Sequence, residues 1–346
     1  MRRLLTILVP LVAIVLGLWA GGWYIATRQL IAALDRWADE RRAEGWHVAY
    51  GPPSPAGFPT KVAVEIPDPT LAAPAGGAGA IAWSWQAPSV RVEIVPWRLD
   101  RVVLRNRGEN RVSARRGDQE IAATLSSDAA AVRLEAGRPQ DAGHYVVELA
   151  QPKLQLDRPV ELGVQARELG VDLRLSRTPP GDHLTVAAVL GVGVVDLAAA
   201  PLDKIGAAPI TANLNAELLG AIPAGPLDRA VASWRDDGGT IEIRRLFVKT
   251  SAISVTANGT VALDDEMRPI GAASAAIGGY AEAIDQLTAA GTVKPRDAQI
   301  AKLLLSAMAQ PADDGTRVLN VPISAQNGWL YVGPVRLARL EPLKLR

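Results

Sequence analysis

The hydrophobic pattern changes period twice along the chain. From Leu4 to Ala26 no position is charged, and the run reads LLTILVPLVAIVLGLWAGGWYIA. As a helix it extends roughly 34 Å, enough to cross a hydrocarbon core of about 30 Å. Leu4, Leu16 and Ile25 supply apolar bulk, and Pro10 is tolerable in a membrane helix. Trp19, Trp23 and Tyr24 gather toward one end, as an interfacial belt does. We read this run as an uncleaved anchor rather than a signal peptide. It exceeds a normal signal core, and Leu18-Trp19-Ala20 is a poor small-x-small cleavage site.

Residues 27–44 keep a helical period. Leu30, Ile31, Leu34, Trp37 and Ala38 form one apolar stripe, with Asp and Arg on the other side and Gly45 as the stop signal. This predicts a stalk helix continuing from the anchor and packing on the domain that follows. Arg2 and Arg3 precede the apolar run, while Arg28, Arg36, Arg41 and Arg42 follow it. A basic count alone would place the bulk inside. The short basic start before an apolar core, together with Asp35, Asp39, Glu40 and Glu44 downstream, favours a cytoplasmic amino terminus in the inner membrane and a periplasmic bulk.

After Gly45 the period falls to two. Short alternating segments recur: WHVAY, KVAVEI, IAWSWQ, SVRVEIV, RVVLR, EIAATL, AAVRLEA, HYVVELA, KLQL, GVDLRLS, TIEIRRLFV and ISVTANGTVAL. Alternation of this kind marks strands wet on one face, and the absence of a helix between successive strands favours antiparallel pairing. The expected fold class is mainly β. Its parts are an anchor (1–26), a stalk helix (27–44) and a long, curved, mostly antiparallel sheet within a β-rich extracytoplasmic domain (45–346), with two sub-sheets dividing near 200–235. His183–Val195 is apolar at nearly every position and predicts a strand covered on both faces, by protein or by an apolar ligand. Helices are expected at Val195–Ile205, Pro226–Trp234, 279–290 and 295–310. The last two are amphipathic and would lie on the sheet or close one end, ahead of a C-terminal hairpin.

Two Asn-Gly pairs test register. A two-residue turn at Asn327-Gly328 sets Ala325 opposite Leu330 and Ile323 opposite Val332, so a hairpin fits. A turn at Asn258-Gly259 would set Ile253 opposite Asp264. As one unbroken strand, Ile253, Val255, Ala257, Val261 and Leu263 share a face, which moves the turn to Asp264–Arg268.

The charge balance, 37 Lys+Arg against 36 Asp+Glu, speaks against a nucleic-acid partner. With no Cys and three His, thiolate and His-rich metal sites are not expected, and no cofactor is implied. G-x-S-x-G, H-E-x-x-H and phosphate-loop patterns are missing, so no catalytic residues are assigned and an enzyme is not expected. The acidic pairs Asp236-Asp237, Asp264-Asp265 and Asp313-Asp314 lie beside Gly or Pro and read as solvated turns. Tryptophan is more informative, because seven of nine fall in the first 97 residues. Trp83 and Trp85 share a strand face and Trp97 follows the next strand. Each reads as core or as the lining of an apolar opening, and with Val189, Leu190 and Val192 they form the candidate groove.

The anchor, GWHVAYGPPSPAGFPTKVAVEIPDPTL and SWQAPSVRVEIVPWRLDRVVL together resemble the uncharacterised bacterial family named domain of unknown function 2125. The stretch from TANGTVALDDEMRPIG to VPISAQNGWLYVGPVRLARLEPL is similar to that family's ending, and to the endings of AsmA-like and YdgA-like envelope proteins. The first resemblance brings no activity and no site residues. The second implies an envelope role in lipid handling. Three functions remain open: a tethered module that binds or transfers lipid acyl chains, a scaffold or adaptor recruiting other envelope proteins, and a hydrolase with an unrecognised site.

Overall fold

The uncharged run and the stripe after it form one unbroken helix, α1 (Arg2–Ala43). It is long and apolar enough to cross a membrane. Its end is set by Gly45, at φ +88°. Gly45 N–H donates to the Arg42 carbonyl and Trp46 N–H to the Arg41 carbonyl, the paired bonds of a glycine-terminated helix. The computed structural model describes residues 2–74, 82–116, 119–135, 141–158, 162–176, 183–199, 209–223, 225–289, 294–311 and 316–343.

The protein is mainly β, and its strands pair antiparallel. The chain divides into two compact units, Met1–Glu135 with Val147–Val164, and Ala136–Val146 with Gln165–Arg346. The boundary thus lies earlier than the expected 200–235. That region falls inside the second unit, because Ile210–Leu219 is a strand paired on both edges.

In the first unit the strands are β1 (His47–Ala49), β2 (Ser54–Ala56), β3 (Val62–Pro67), β4 (Thr70–Ala72), β5 (Ala82–Gln86), β6 (Ser89–Val95), β7 (Arg98–Arg116) and β8 (Gln119–Glu135). Strand β9 (Asp141–Ala150), whose residues as far as Val146 belong to the second unit, is followed by β10 (Lys153–Arg158) and β11 (Leu162–Gln165). The long β7 is the spine: one edge pairs first with β6 and then with β5, and the other edge pairs with β8. EIAATL and AAVRLEA, expected as two strands, are halves of β8. A register shift between Asn106 and Gly108 lets Ile121, Ala123 and Leu125 share a face with Ala130, Val132 and Leu134. Helix α1 packs on β1 and β3, and β3 is buried on both faces.

The second unit runs β12 (Glu168–Ser176), β13 (Val186–Ala199), β14 (Ile210–Leu219), β15 (Thr240–Lys249), β16 (Ser254–Leu263), β17 (Pro269–Gly278), β18 (Gln310–Pro311), β19 (Arg317–Gln326), β20 (Trp329–Val332) and β21 (Val335–Arg339). Apart from the short β18, which pairs with β19, and with β17 joined directly to β19, neighbours in sequence are neighbours in the ladder. Strand β16 passes straight through Asn258-Gly259, and the turn lies at Asp264–Arg268. Asp264 caps it by accepting from the Glu266 and Arg268 N–H groups. The Asn327-Gly328 hairpin has the expected register.

Helices α2 (Leu227–Asp236), α3 (Tyr280–Ala289) and α4 (Pro295–Met308) stand where three of the four expected helices were placed. The fourth is corrected: Val195–Ala199 is the end of β13, where Leu197 pairs with Ile210 and the preceding run of valines favours extended backbone. Residues 200–205 lie outside the described residues, as do Asp313 and Asp314. The stripe of α4 also departs from expectation. Ala298 makes its buried contact, whereas Ile300, Leu303, Leu304 and Met308 are exposed.

Candidate functional site

Register turns the alternation of the second unit into a surface. Following partners from β12 to β20, one row reads Leu173, Leu190, Ala216, Ile243, Gly259, Ala273, Ile323 and Val332. The next reads Val171, Val192, Leu214, Leu246, Ala257, Ala275 and Val321. Rows starting at Leu169 and at Leu175 are equally free of polar side chains, and the latter continues to Leu330 and Ala338. Eight strands at about 4.8 Å spacing make this face roughly 34 Å wide.

The opposite face is polar. Its central row is Arg174, Val189, Glu217, Glu242, Thr260, Ala272, Ser324, Tyr331 and Arg336. Glu217 and Glu242 would repel as direct partners, but Arg244 bridges them at 2.7 and 2.6 Å. His144 and Arg174 meet Asp172 on the same unit, at 3.1 and 3.4 Å.

The apolar face keeps contact with water. Ala216, Ala257 and Ala275 are buried, but Leu190, Val192, Leu214, Ile243 and Leu246 are only half-buried, and Ile241 is exposed. Over β15–β20 the face dips into an open apolar depression of about 200 Å³. Ala257, Gly271 and Ala273 contribute to it with Ile243, Leu246 and Ile323, small residues set beside larger ones.

The predicted groove residues therefore separate. Leu190 and Val192 stand in the apolar rows. Val189 does not: it sits between Arg174 and Glu217 on the polar face and is 37% exposed. The idea that β13 is covered twice fails for the same reason, since Gly191 and Gly193 share that face and no position from Val186 to Ala198 is buried.

Trp83 and Trp85 belong to the apolar face of the first unit. There a row reads Val48, Leu71, Trp85, Val112, Ala123 and Leu156. The Trp85 indole N–H donates to Asn110 Oδ1 at 3.1 Å, and Asn106 donates to the same oxygen, so the buried amide has partners. Trp83 meets Trp46 edge to face at 5.5 Å. Trp97 lies in the turn between β6 and β7 and is exposed.

Of the anchor residues, Leu4 and Pro10 lie in the helical backbone of α1, and Leu16, Tyr24 and Ile25 project outward. Trp19 and Trp23 instead reach the domain. Their indole N–H groups donate to the Pro59 and Lys61 carbonyls at 2.8 and 2.7 Å. Nearby, buried Glu93 pairs with Lys61 at 2.9 Å and Arg105 at 3.2 Å. Burial pushes the Glu93 carboxyl up, but the two cations outweigh it and hold the group below the usual carboxylate range.

Sequence reasoning did not place Ile243, Leu246, Ala257 or Ile323 in the groove. The signal was present in TIEIRRLFV, where the apolar positions change parity at the two arginines.

No match was found among curated proteins or among solved structures. A family model does match residues 23–341, nearly the whole chain, and it is described as an uncharacterized protein conserved in bacteria. The chain belongs to that family, DUF2125.

Proposed function

We propose that this is a membrane-anchored periplasmic protein of the inner membrane that binds or transfers lipid acyl chains, without catalysing a reaction. The observation that carries the proposal is the register of the second unit: four transverse rows of apolar residues share one half-exposed face, and the charged positions interleaved with these rows are sent to the other. A solvated sheet face of this composition is unfavourable unless something apolar occupies it. Each buried methylene contributes about 0.8 kcal/mol, so eight give about 6 kcal/mol before the cost of ordering the chain. The anchor tethers the chain to a bilayer.

Native mass spectrometry of the full-length protein purified in mild detergent tests this. Adducts with phospholipid or fatty-acid masses, released on denaturation, are expected; ligand-free protein even after incubation with vesicles would refute the proposal. Orientation is tested separately by fusing alkaline phosphatase after Arg346. An active fusion is expected, and an inactive one would reverse the topology.

One feature favours an adaptor instead. Strand β21 pairs with β20 and is exposed along its length, with Val335 and Leu337 open to water. An edge of this kind accepts an added strand from a partner. A stable complex with another envelope protein, formed by lipid-free protein, would support that reading.

A further inference from the structure

The loop between β2 and β3 lies alongside the apolar helix rather than on the far side of the domain. Two indoles hold it there, Trp19 on the Pro59 carbonyl at 2.8 Å and Trp23 on the Lys61 carbonyl at 2.7 Å. Both donors belong to the uncharged run that ends at Ala26. Trp19 lies one helical turn, about 6 Å, deeper than Trp23, and helical side chains lean toward the N-terminus. A span of about 20 residues from Leu4 closes near Trp23. The loop tip is therefore held at the level where that span leaves the hydrocarbon.

We propose that this loop is a second membrane contact, with Phe58 inserted into the headgroup and upper acyl region beside α1. This rests on the reading that α1 crosses a bilayer. Three independent features fit the occupant. First, Gly51–Thr60 (GPPSPAGFPT) contains no charged residue, so insertion desolvates no ion. The next residue, Lys61, is turned away to Glu93 at 2.9 Å. Second, three carbonyls of the loop are already paired. The Gly57 carbonyl accepts from Lys61 N–H, the Pro59 and Lys61 carbonyls accept from the indoles, and Pro59 has no N–H to satisfy. Third, Phe58 is 54% exposed although it meets Trp23 edge to face at 5.3 Å, which leaves much of its surface free for lipid. Tyr24, with Arg28 stacked at 5.6 Å, marks the same level on the helix as an interfacial aromatic and cation do. The loop would fix the domain's height and stop α1 from acting as a free tether.

The chain has no Cys, so single labelling sites carry no background. Full-length Phe58→Cys, Thr60→Cys, Leu16→Cys and Glu109→Cys variants, each carrying an environment-sensitive fluorophore, are reconstituted into phosphatidylethanolamine–phosphatidylglycerol vesicles. The vesicles carry spin-labelled lipids quenching near the headgroup or near the chain end. The label at 58 should be quenched at least about twofold more by the shallow spin label than by the deep one, the depth of an interfacial side chain. The label at 60 reports on the same loop with Phe58 intact and should follow it. The label at 16 should be quenched by the deep probe, and the label at 109, at the other end of the sheet, by neither. Quenching at 16 with none at 58 and 60 overturns the loop proposal and leaves the anchor standing. No quenching at 16 overturns both.

Discussion

Ile243 and Leu246 stand on the same face of β15 although three positions separate them. Arg244 and Arg245 together oppose the single residue Asn258, while Ile243 pairs with Gly259 and Leu246 with Ala257. This bulge keeps the apolar rows continuous and sends Arg244 between Glu217 and Glu242. Deleting both Arg244 and Arg245 sets Ile243 directly before Leu246 and must turn one end of β15 over. That exposes large aliphatic side chains at about 1.5–3 kcal/mol each for full transfer to water, less for half-buried ones. Thermal unfolding of the detergent-solubilised protein should show a marked fall in Tm for the deletion and little change for Arg244→Ala, which keeps the register. Equal effects would mean that the charge, not the register, is what the two arginines provide.

Trp234 anchors α2 to the second unit. Its indole is buried and donates to the Leu219 carbonyl at 2.7 Å, and Gly239 lies so close that a Cβ there would meet the indole nitrogen at 2.2 Å. Trp234→Ala should cost about 3–5 kcal/mol. Trp234→Phe, which leaves the carbonyl unpaired, should cost about 1–3 kcal/mol. Gly239→Ala should lower Tm clearly, because backbone and a packed ring must both move. A neutral Gly239→Ala would show that this contact is loose.

Acid should weaken the first unit through two paired carboxylates. Burial raises the Glu93 carboxyl, but Lys61 and Arg105 outweigh it, and the Arg91 hydrogen bond lowers Glu65. Both folded pKa values are therefore depressed. Their contribution is complete above the ordinary carboxylate pKa of about 4.3 and is lost as pH falls through the lower folded values. Glu93→Gln should cost about 1–2 kcal/mol at pH 7, discounted because both cations remain partly in water. It should also flatten the decline in stability below about pH 4. An unchanged acid slope would remove Glu93 from this role.

Much of the fold was legible because period and register are local. The helix stop at Gly45, the turn at Asp264 and the Asn327-Gly328 hairpin each follow from a few residues. Facing was harder. Val189 and Leu190 look alike in sequence, and only the charged partners Arg174 and Glu217 reveal that Val189 faces the polar side. Trp97 read as a groove residue because it is large and apolar, yet a turn carries it into water. The unit boundary depends on which distant strands pair, which alternation alone does not encode.

The most direct test of acyl-chain binding uses that same pair of neighbours. Full-length Val189→Asp and Leu190→Asp proteins are compared with the unaltered chain for crosslinking to a photoactivatable phospholipid in vesicles, with folding checked by Tm. Leu190 lies in a row from Leu173 to Val332 without a polar side chain, so an aspartate there should abolish crosslinking in a folded protein. Val189→Asp should leave crosslinking unchanged. Equal crosslinking by both folded variants, or loss in Val189→Asp alone, would contradict the account.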